Sequence, residues 1–108
     1  KAIEIHVDSR NKNTRQDVFF YYNSNNKASE KLANTVQEVF ESKYAQHQKD
    51  RGYQGYVEGR GLYMVRNLAP TTLFVELANI TNEEDHKRLV KNYNRQALAN
   101  WLFEGLRK

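Results

Sequence analysis

A glutamate that directly follows an apolar run is the residue of this chain best placed to do chemistry. Residues 71–75 (TTLFV) contain no turn residue, which is typical of a buried strand. Glu76 comes where this predicted strand ends. Burying a carboxylate costs free energy unless the group is paired with a cation, bound to a metal or needed for function. Ligands of α/β proteins gather at the carboxyl ends of strands. Glu76 is therefore a candidate functional residue, and a buried partner of an arginine is the alternative.

A second set of polar residues follows the first predicted strand, which covers residues 2–9. This strand carries His6 and Asp8 near its carboxyl end, so both strand ends can direct polar groups into one crevice. An imidazole can bind zinc, although a single histidine is more often a hydrogen-bonded structural residue. Asp8 could support His6 or cap a turn, and the sequence leaves both open. His47 and His86 have the pattern of solvated helix residues.

The elements that must position these residues alternate along the chain. Apolar runs predict strands at residues 2–9, 17–23, 62–66 and 71–76, and four glycines predict a long loop over residues 52–61. Helical spacing predicts one long helix in the first half and two helices at the end of the chain. The residues that define the apolar faces are Leu32, Val36, Val39, Phe40, Tyr44, Leu98, Trp101, Leu102 and Leu106. We therefore expect one sheet with helices packed against it, which is an α/β fold.

The start of the first C-terminal helix has its own signal. Asn82 is a predicted N-cap, and Asp85 follows three residues later, as in a capping box. The helix is therefore expected to begin immediately after the loop that follows Glu76.

Composition limits the classes of function. The 108 residues, 39% of them hydrophobic, suit one globular domain, and the absence of cysteine excludes disulfides and cysteine metal sites. The net charge of +4 comes from basic residues that are scattered among acidic ones, so no nucleic-acid partner is predicted. A mildly basic surface would equally suit contact with another anionic polymer. No apolar run approaches about 18 residues, so no membrane span is predicted.

Several motifs of this chain resemble those of the zinc-dependent N-acetylmuramoyl-L-alanine amidases (the Amidase_3 type). Residues 5–8 (IHVD) are similar to the family's S-I-H-A-(N/D) strand, and residues 75–85 (VELANITNEED) to its V-E-L-G-F-(I/L)-(S/T)-N-x-x-D segment. Between them, residues 51–52 (RG) and 62–66 (LYMVR) look like the family's Arg-Gly pair and L-Y-V-L-R strand. Order and spacing agree over nearly the whole chain.

The chain also departs from these motifs at four positions. Glu4 stands where serine is usual and Val7 where alanine is usual. Ala78 and Asn79 replace glycine and phenylalanine. These residues lie in the segments that carry His6 and Glu76, so they bear on the shape of the groove for the substrate.

The resemblance implies a role for particular residues. It implies that His6 is one ligand of a single Zn²⁺ ion and that Glu76 is the catalytic acid–base residue. Arg66 could contact a carboxylate of the substrate's stem peptide, since arginine suits bidentate binding of anions, or it could pair with Glu76. The family's first zinc histidine, in a D-P-G-H-G-like loop, and a glutamate ligand have no counterpart here, so the remaining zinc ligands are expected outside this sequence.

The resemblance also implies a fold, a substrate and a location. The expected fold is a mixed, mostly parallel sheet flanked by helices, a three-layer arrangement of the phosphorylase/hydrolase-like kind that is incomplete at its N-terminus. Residues 1–108 would be the C-terminal part of one catalytic domain, acting on peptidoglycan in the bacterial cell envelope, either in the periplasm or after secretion. The amide between N-acetylmuramic acid and L-alanine would be cleaved during cell-wall turnover or daughter-cell separation.

Two other interpretations remain open from the sequence. The chain could be a non-catalytic cell-wall-binding or regulatory module derived from the amidase fold. It could also be an enzyme fragment that is completed by the missing N-terminal segment or by another polypeptide, such as an activator protein.

Overall fold

A computed structural model describes residues 2–8, 15, 17–50, 52–60 and 71–108. The described residues form four strands and three helices. In chain order these are β1 (Ala2–Asp8), β2 (Phe19–Asn23), α1 (Lys27–His47), β3 (Tyr56–Arg60), β4 (Thr72–Asn79), α2 (Glu83–Val90) and α3 (Asn92–Arg107).

The four strands form one mixed sheet in the order β1-β4-β2-β3. The pairs β1–β4 and β2–β3 are parallel, and β2–β4 is antiparallel. The expectation of a mixed, mostly parallel sheet flanked by helices is therefore confirmed. The two strands that carry His6 and Glu76 are adjacent, although more than sixty residues separate them in the sequence.

The main core lies between one face of this sheet and the helices. Alternate strand residues point toward the helices, as the pleat requires, and they meet the apolar faces of α1 and α3. The fully or nearly fully buried members of this core are Val18, Phe20, Leu32, Ala33, Val36, Phe40, Tyr44, Leu73, Val75, Leu98 and Leu102. A smaller cluster of Phe19, Tyr21, Phe74 and Tyr56 forms on the other face, and within the described residues only strands contribute to it.

The third strand differs from the sequence-based expectation. β3 covers Tyr56–Arg60, inside the segment that the glycines predicted to be a loop, and that prediction is wrong there. The alternation of Tyr56, Glu58 and Arg60 with Val57 and Gly59 is a period-two pattern, and the glycine obscured it. A Cβ at Gly59 would lie 3.0 Å from the Tyr22 ring of the adjacent strand, so the glycine permits close pairing. The strand predicted at residues 62–66 lies outside the described residues.

The start of α2 agrees with the predicted cap. The Asn82 side chain accepts a hydrogen bond from the Asp85 N–H (3.1 Å), so Asn82 is the N-cap of α2. The buried Asp85 Oδ2 accepts a hydrogen bond from the Asn79 N–H (2.9 Å). This bond fastens the end of β4 to the first turn of α2.

The contact between α1 and α3 depends on a glycine, and it gives a stability prediction. A Cβ at Gly105 would lie 2.9 Å from Val36 Cγ2 and 3.0 Å from Val36 Cα, and the backbone atom cannot rotate away. Such crowding lowers the free energy of unfolding by about 1–3 kcal/mol. The higher helix propensity of alanine raises it by only about 1 kcal/mol. We expect Gly105→Ala to lower the free energy of unfolding by about 1 kcal/mol in urea denaturation.

The matched control for this substitution is Asn100→Ala, at an exposed position of the same helix. It changes helix propensity without crowding and removes an exposed hydrogen bond from Gln96 Nε2 (2.9 Å). The net effect should be a gain in stability of at most a few tenths of a kcal/mol. Equal stability of the two variants would contradict the close approach of Gly105 to Val36.

Candidate functional site

His6 and Glu76 lie opposite each other on adjacent strands. They are register partners in the parallel pair β1–β4, so their Cα atoms are separated by the strand spacing of about 4.8 Å and their side chains share one face of the sheet. The His6 side chain is 40% exposed and the Glu76 side chain is half-buried. The structure therefore brings together the two residues that the sequence singled out, and their chemical roles remain a prediction.

The pairing of these two strands shifts immediately after His6 and Glu76. His6 pairs with Glu76, but Asp8 pairs with Asn79, so β4 uses one more residue than β1 over this step. The prediction that Glu76 ends its strand is wrong, because β4 continues to Asn79. Such bulges re-aim side chains and are frequent beside active sites. The irregularity thus separates the His6–Glu76 pair from the end of the strand.

A side chain from α2 fastens β4 beside this shift. Arg88 Nη2 donates hydrogen bonds to the Leu77 carbonyl (2.6 Å) and to the Asp17 carbonyl (2.7 Å). Leu77 follows Glu76 directly, and Asp17 lies just before β2. Arg88 therefore ties the strand of Glu76 to its neighbour on the helix side of the sheet.

Two further residues contact His6. The Phe74 ring stacks on the imidazole with centroids 4.2 Å apart and planes inclined by 13°. Glu4 Oε2 lies 3.6 Å from His6 Nε2. Sequence reasoning missed both, although the signal was available. Glu4 is two residues before His6, and Phe74 is two residues before Glu76, so period-two alternation places each pair on one face.

Aromatic rings lie on the side of Glu76 that faces β2, opposite the side that faces His6. Glu76 pairs with Phe19 across the antiparallel β2–β4 ladder. The fully buried Tyr21 lies next along β2, and its hydroxyl is 3.1 Å from the Tyr56 hydroxyl. The Arg60 guanidinium stacks over the Tyr21 ring at 4.2 Å. Burial chiefly, and then the Tyr56 hydrogen bond and the Glu76 charge, raise the pKa of Tyr21 above its usual value.

This raised pKa gives a prediction for alkaline pH. The folded state holds Tyr21 as the neutral phenol, while the unfolded chain ionises from about pH 10, so stability is present below pH 10 and is lost as pH rises above it. One such group contributes a slope of up to about 1.4 kcal/mol per pH unit. We expect Tyr21→Phe to reduce the loss of unfolding free energy above pH 10, measured by urea denaturation across pH. Tyr93→Phe, at an exposed position, is the control, and parallel curves for Tyr21→Phe and the parent chain would contradict the prediction.

The other predicted site residues lie apart from this pair or are not described. Arg66 lies outside the described residues. Asp8 is the last residue of β1 and pairs with Asn79, and its two predicted roles remain predictions. His47 and His86 are exposed on α1 and α2, as expected of solvated residues. His47 stacks on Trp101 with centroids 6.3 Å apart.

Two further observations concern the described part of the chain. Within the ranges that the structure describes, no cluster of three or more histidine, aspartate or glutamate residues could hold a metal ion. No described helix is long and apolar enough to cross a membrane.

Solved structures of bacterial amidases share this fold. The chain is similar to the N-acetylmuramoyl-L-alanine amidase AmiC2 of Nostoc punctiforme (TM-score 0.76, 20% identity, 96% of this chain and 54% of that one). It is similar to the N-acetylmuramoyl-L-alanine amidase of Clostridium difficile 630 (TM-score 0.77, 22% identity, 96% and 54%). It also matches the CwlD amidase of Clostridioides difficile, solved in complex with the GerS lipoprotein (TM-score 0.78, 15% identity, 97% and 51%). The chain thus spans about half the length of these proteins.

The assignment to a family comes from the sequence match. No curated protein matches this sequence. The family model described as N-acetylmuramoyl-L-alanine amidase (Amidase_3) matches residues 1–108, the whole of the chain. The chain therefore belongs to the N-acetylmuramoyl-L-alanine amidase family.

Proposed function

We propose that residues 1–108 are the C-terminal part of a catalytic domain that hydrolyses the amide bond between N-acetylmuramic acid and L-alanine in peptidoglycan, with Zn²⁺ as cofactor. The observation that carries the proposal is the pairing of His6 with Glu76 on adjacent parallel strands, in a chain that the family model matches throughout. A metal-binding type of side chain and a carboxylate then share one face of the sheet, as metal-assisted hydrolysis requires.

The described residues fit part of a zinc site. A catalytic zinc takes three protein ligands and keeps one open position. His6 is a suitable donor because its side chain is partly exposed, and Glu4 and Glu76 place carboxylates on the same face. No cluster of three such ligands forms among the described residues, so we assign at least part of the ligand set to residues beyond them. The solved relatives are about twice the length of this chain, which leaves ample sequence for such ligands.

The chemistry of this chain's residues follows from their positions. Zinc, when bound, supplies a water molecule of lowered pKa and polarises the amide carbonyl. Glu76 accepts the proton of the attacking water as the new C–O bond forms at the lactyl carbonyl carbon. Glu76 then donates that proton to the nitrogen of L-alanine as the C–N bond breaks. The products are the lactyl carboxylate and a stem peptide with a free α-amino group. Phe74 restricts the His6 ring by stacking on it.

The test is release of stem peptide from purified peptidoglycan by the full catalytic domain that contains this chain. Each cleavage should expose one new N-terminal alanine, which can be quantified by labelling free amino groups and by mass spectrometry. A chelator should stop the release and added Zn²⁺ should restore it. Cleavage at any bond other than the lactyl–alanine amide, or cleavage that is indifferent to the chelator, would contradict the proposal.

The proposed location and partners follow from the substrate. Peptidoglycan lies in the bacterial cell envelope, so we propose that the protein acts there, in the periplasm or outside the cell. We also propose that the site is completed by an N-terminal segment or by a separate polypeptide. One solved relative, CwlD, is in complex with a lipoprotein, which supports a protein partner.

One observation favours a second candidate, a wall-binding module without catalysis. The described residues contain a single histidine at the site and no three-ligand cluster. Such a module would co-sediment with peptidoglycan and release no amino groups in the assay above, with or without Zn²⁺. The two candidates therefore give opposite results in one experiment.

A further inference from the structure

Glu4 is placed beside the proposed metal ligand in an unusual way. It lies two residues before His6 in β1, so the two side chains project from the same face of the sheet. Glu4 Oε2 is 3.6 Å from His6 Nε2. This oxygen is buried and accepts no hydrogen bond from the described residues. The Glu4 side chain as a whole is 31% exposed, but a buried carboxylate oxygen that accepts no hydrogen bond is costly. A cation beside Oε2 would therefore stabilise it.

The spacing of the two atoms fits a shared metal ion. Zinc binds histidine nitrogen at about 2.0–2.1 Å and carboxylate oxygen at about 2.0–2.2 Å, and its ligands are arranged tetrahedrally. Two such ligand atoms on one ion are therefore about 3.3–3.5 Å apart. The observed separation of 3.6 Å is close to the upper end of this range. It is longer than an N–H···O hydrogen bond, which spans about 2.7–3.2 Å.

We propose that Glu4 is a second metal ligand supplied by this chain, binding the same Zn²⁺ as His6 through Oε2. The proposal rests on the metal dependence proposed above and adds a ligand where the family motif carries serine. His6 and Glu4 then supply two of the three protein ligands, so one further ligand from beyond the described residues completes the site and the fourth position stays open. β1 then presents a Glu-x-His pair, with both donor atoms on one face and near the Glu76 side chain. The bound ion would stabilise the buried Glu4 Oε2, which accepts no hydrogen bond from the described residues.

An alternative role for Glu4 is to orient His6 without touching the metal. A carboxylate in that role hydrogen-bonds the ring nitrogen that does not bind the ion. At 3.6 Å Glu4 forms no such bond. The two roles also predict different effects of replacing Glu4. Replacing a ligand changes the coordination sphere of the metal, whereas replacing an orienting residue leaves the set of ligand atoms unchanged.

The experiment compares Glu4→Gln, Glu4→Ser and His6→Ala in the full catalytic domain that contains this chain. Zinc affinity is measured by competition with a chromophoric chelator, and the coordination sphere is examined by visible absorption after Co²⁺ substitution. Loss of an outer partner alone costs about 10- to 100-fold in metal affinity. We therefore expect each Glu4 variant to weaken zinc binding by about 100-fold or more and to alter the Co²⁺ spectrum. Glu38→Gln, an exposed carboxylate on α1, carries the same change of charge and should leave both readouts unchanged.

The outcomes separate this inference from the proposed function. If His6→Ala abolishes tight zinc binding while the Glu4 variants keep the parent affinity and spectrum, Glu4 is not a ligand and the proposed function stands. Weakened binding with an unchanged Co²⁺ spectrum would also overturn the inference, because it assigns Glu4 to an orienting role. If neither His6→Ala nor the Glu4 variants affect zinc, the metal site proposed for the chain is wrong as a whole.

Discussion

Replacing Glu76 with glutamine is expected to lower amide cleavage by roughly 10²- to 10⁴-fold, the usual contribution of a positioned acid–base residue. Glutamine keeps the size and hydrogen-bonding reach of the side chain but can neither accept the proton of water nor return it to the leaving amine. Glu76 lies opposite His6 and is proposed to act on water rather than to bind the metal. Zinc content should therefore be unchanged. The measurement is release of N-terminal alanine from purified peptidoglycan, with metal content determined on the same preparation.

A matched control for this prediction lies in the following helix. Glu83 is an exposed residue of α2 that lies 3.1 Å from Lys87, and Glu83→Gln makes the same chemical change away from the sheet. It should cleave at the parent rate. A Glu76→Gln variant that cleaves as fast as Glu83→Gln would show that Glu76 is not the acid–base residue.

The sequence predicted the strands of the site because their signals are local. The strand signals at residues 71–75 and at residues 2–9 are each complete within a few residues. Both became strands, with bounds that differ by a few residues. The Asn82 cap was predicted correctly for the same reason, since its side chain bonds a backbone N–H only three residues away. Features that depend only on residues within one element can therefore be predicted from a single sequence.

The features that the sequence did not predict depend on partners that are distant along the chain. The order β1-β4-β2-β3 places the first and last strands side by side, and no local pattern specifies that pairing. The shift between the His6–Glu76 pair and the Asp8–Asn79 pair exists only when two strands are compared. The stacking of Phe74 on His6 is likewise a contact across the ladder. His6 and Glu76 are connected in the sequence by their positions near strand ends and by the match to family motifs, not by periodicity.

The error at β3 has a different cause. Glycines at 52, 55, 59 and 61 predicted a loop, but Gly59 lies in a strand, where a Cβ would come within 3.0 Å of the Tyr22 ring. A glycine in a strand can mark close approach instead of a turn. Only the neighbouring strand shows which of the two applies.

The second large effect is expected at His6, where substitution should remove metal and activity together. His6→Ala deletes a proposed ligand, and since loss of an outer partner alone costs about 10- to 100-fold in metal affinity, we expect a loss of about 100-fold or more. Cleavage of peptidoglycan should fall in parallel, and excess Zn²⁺ should restore it only in part. His86→Ala, at an exposed position of α2, is the control and should match the parent in both measurements.

The contrast between the two substitutions is the sharpest test of the proposed mechanism. Glu76→Gln should keep zinc and lose cleavage, whereas His6→Ala should lose both, because one residue is proposed to move a proton and the other to hold the ion. Metal content and rate measured on both variants therefore form a two-by-two comparison with one expected pattern. If His6→Ala retains stoichiometric zinc and parent activity, the metal ligand lies elsewhere and His6 is a structural histidine stacked on Phe74.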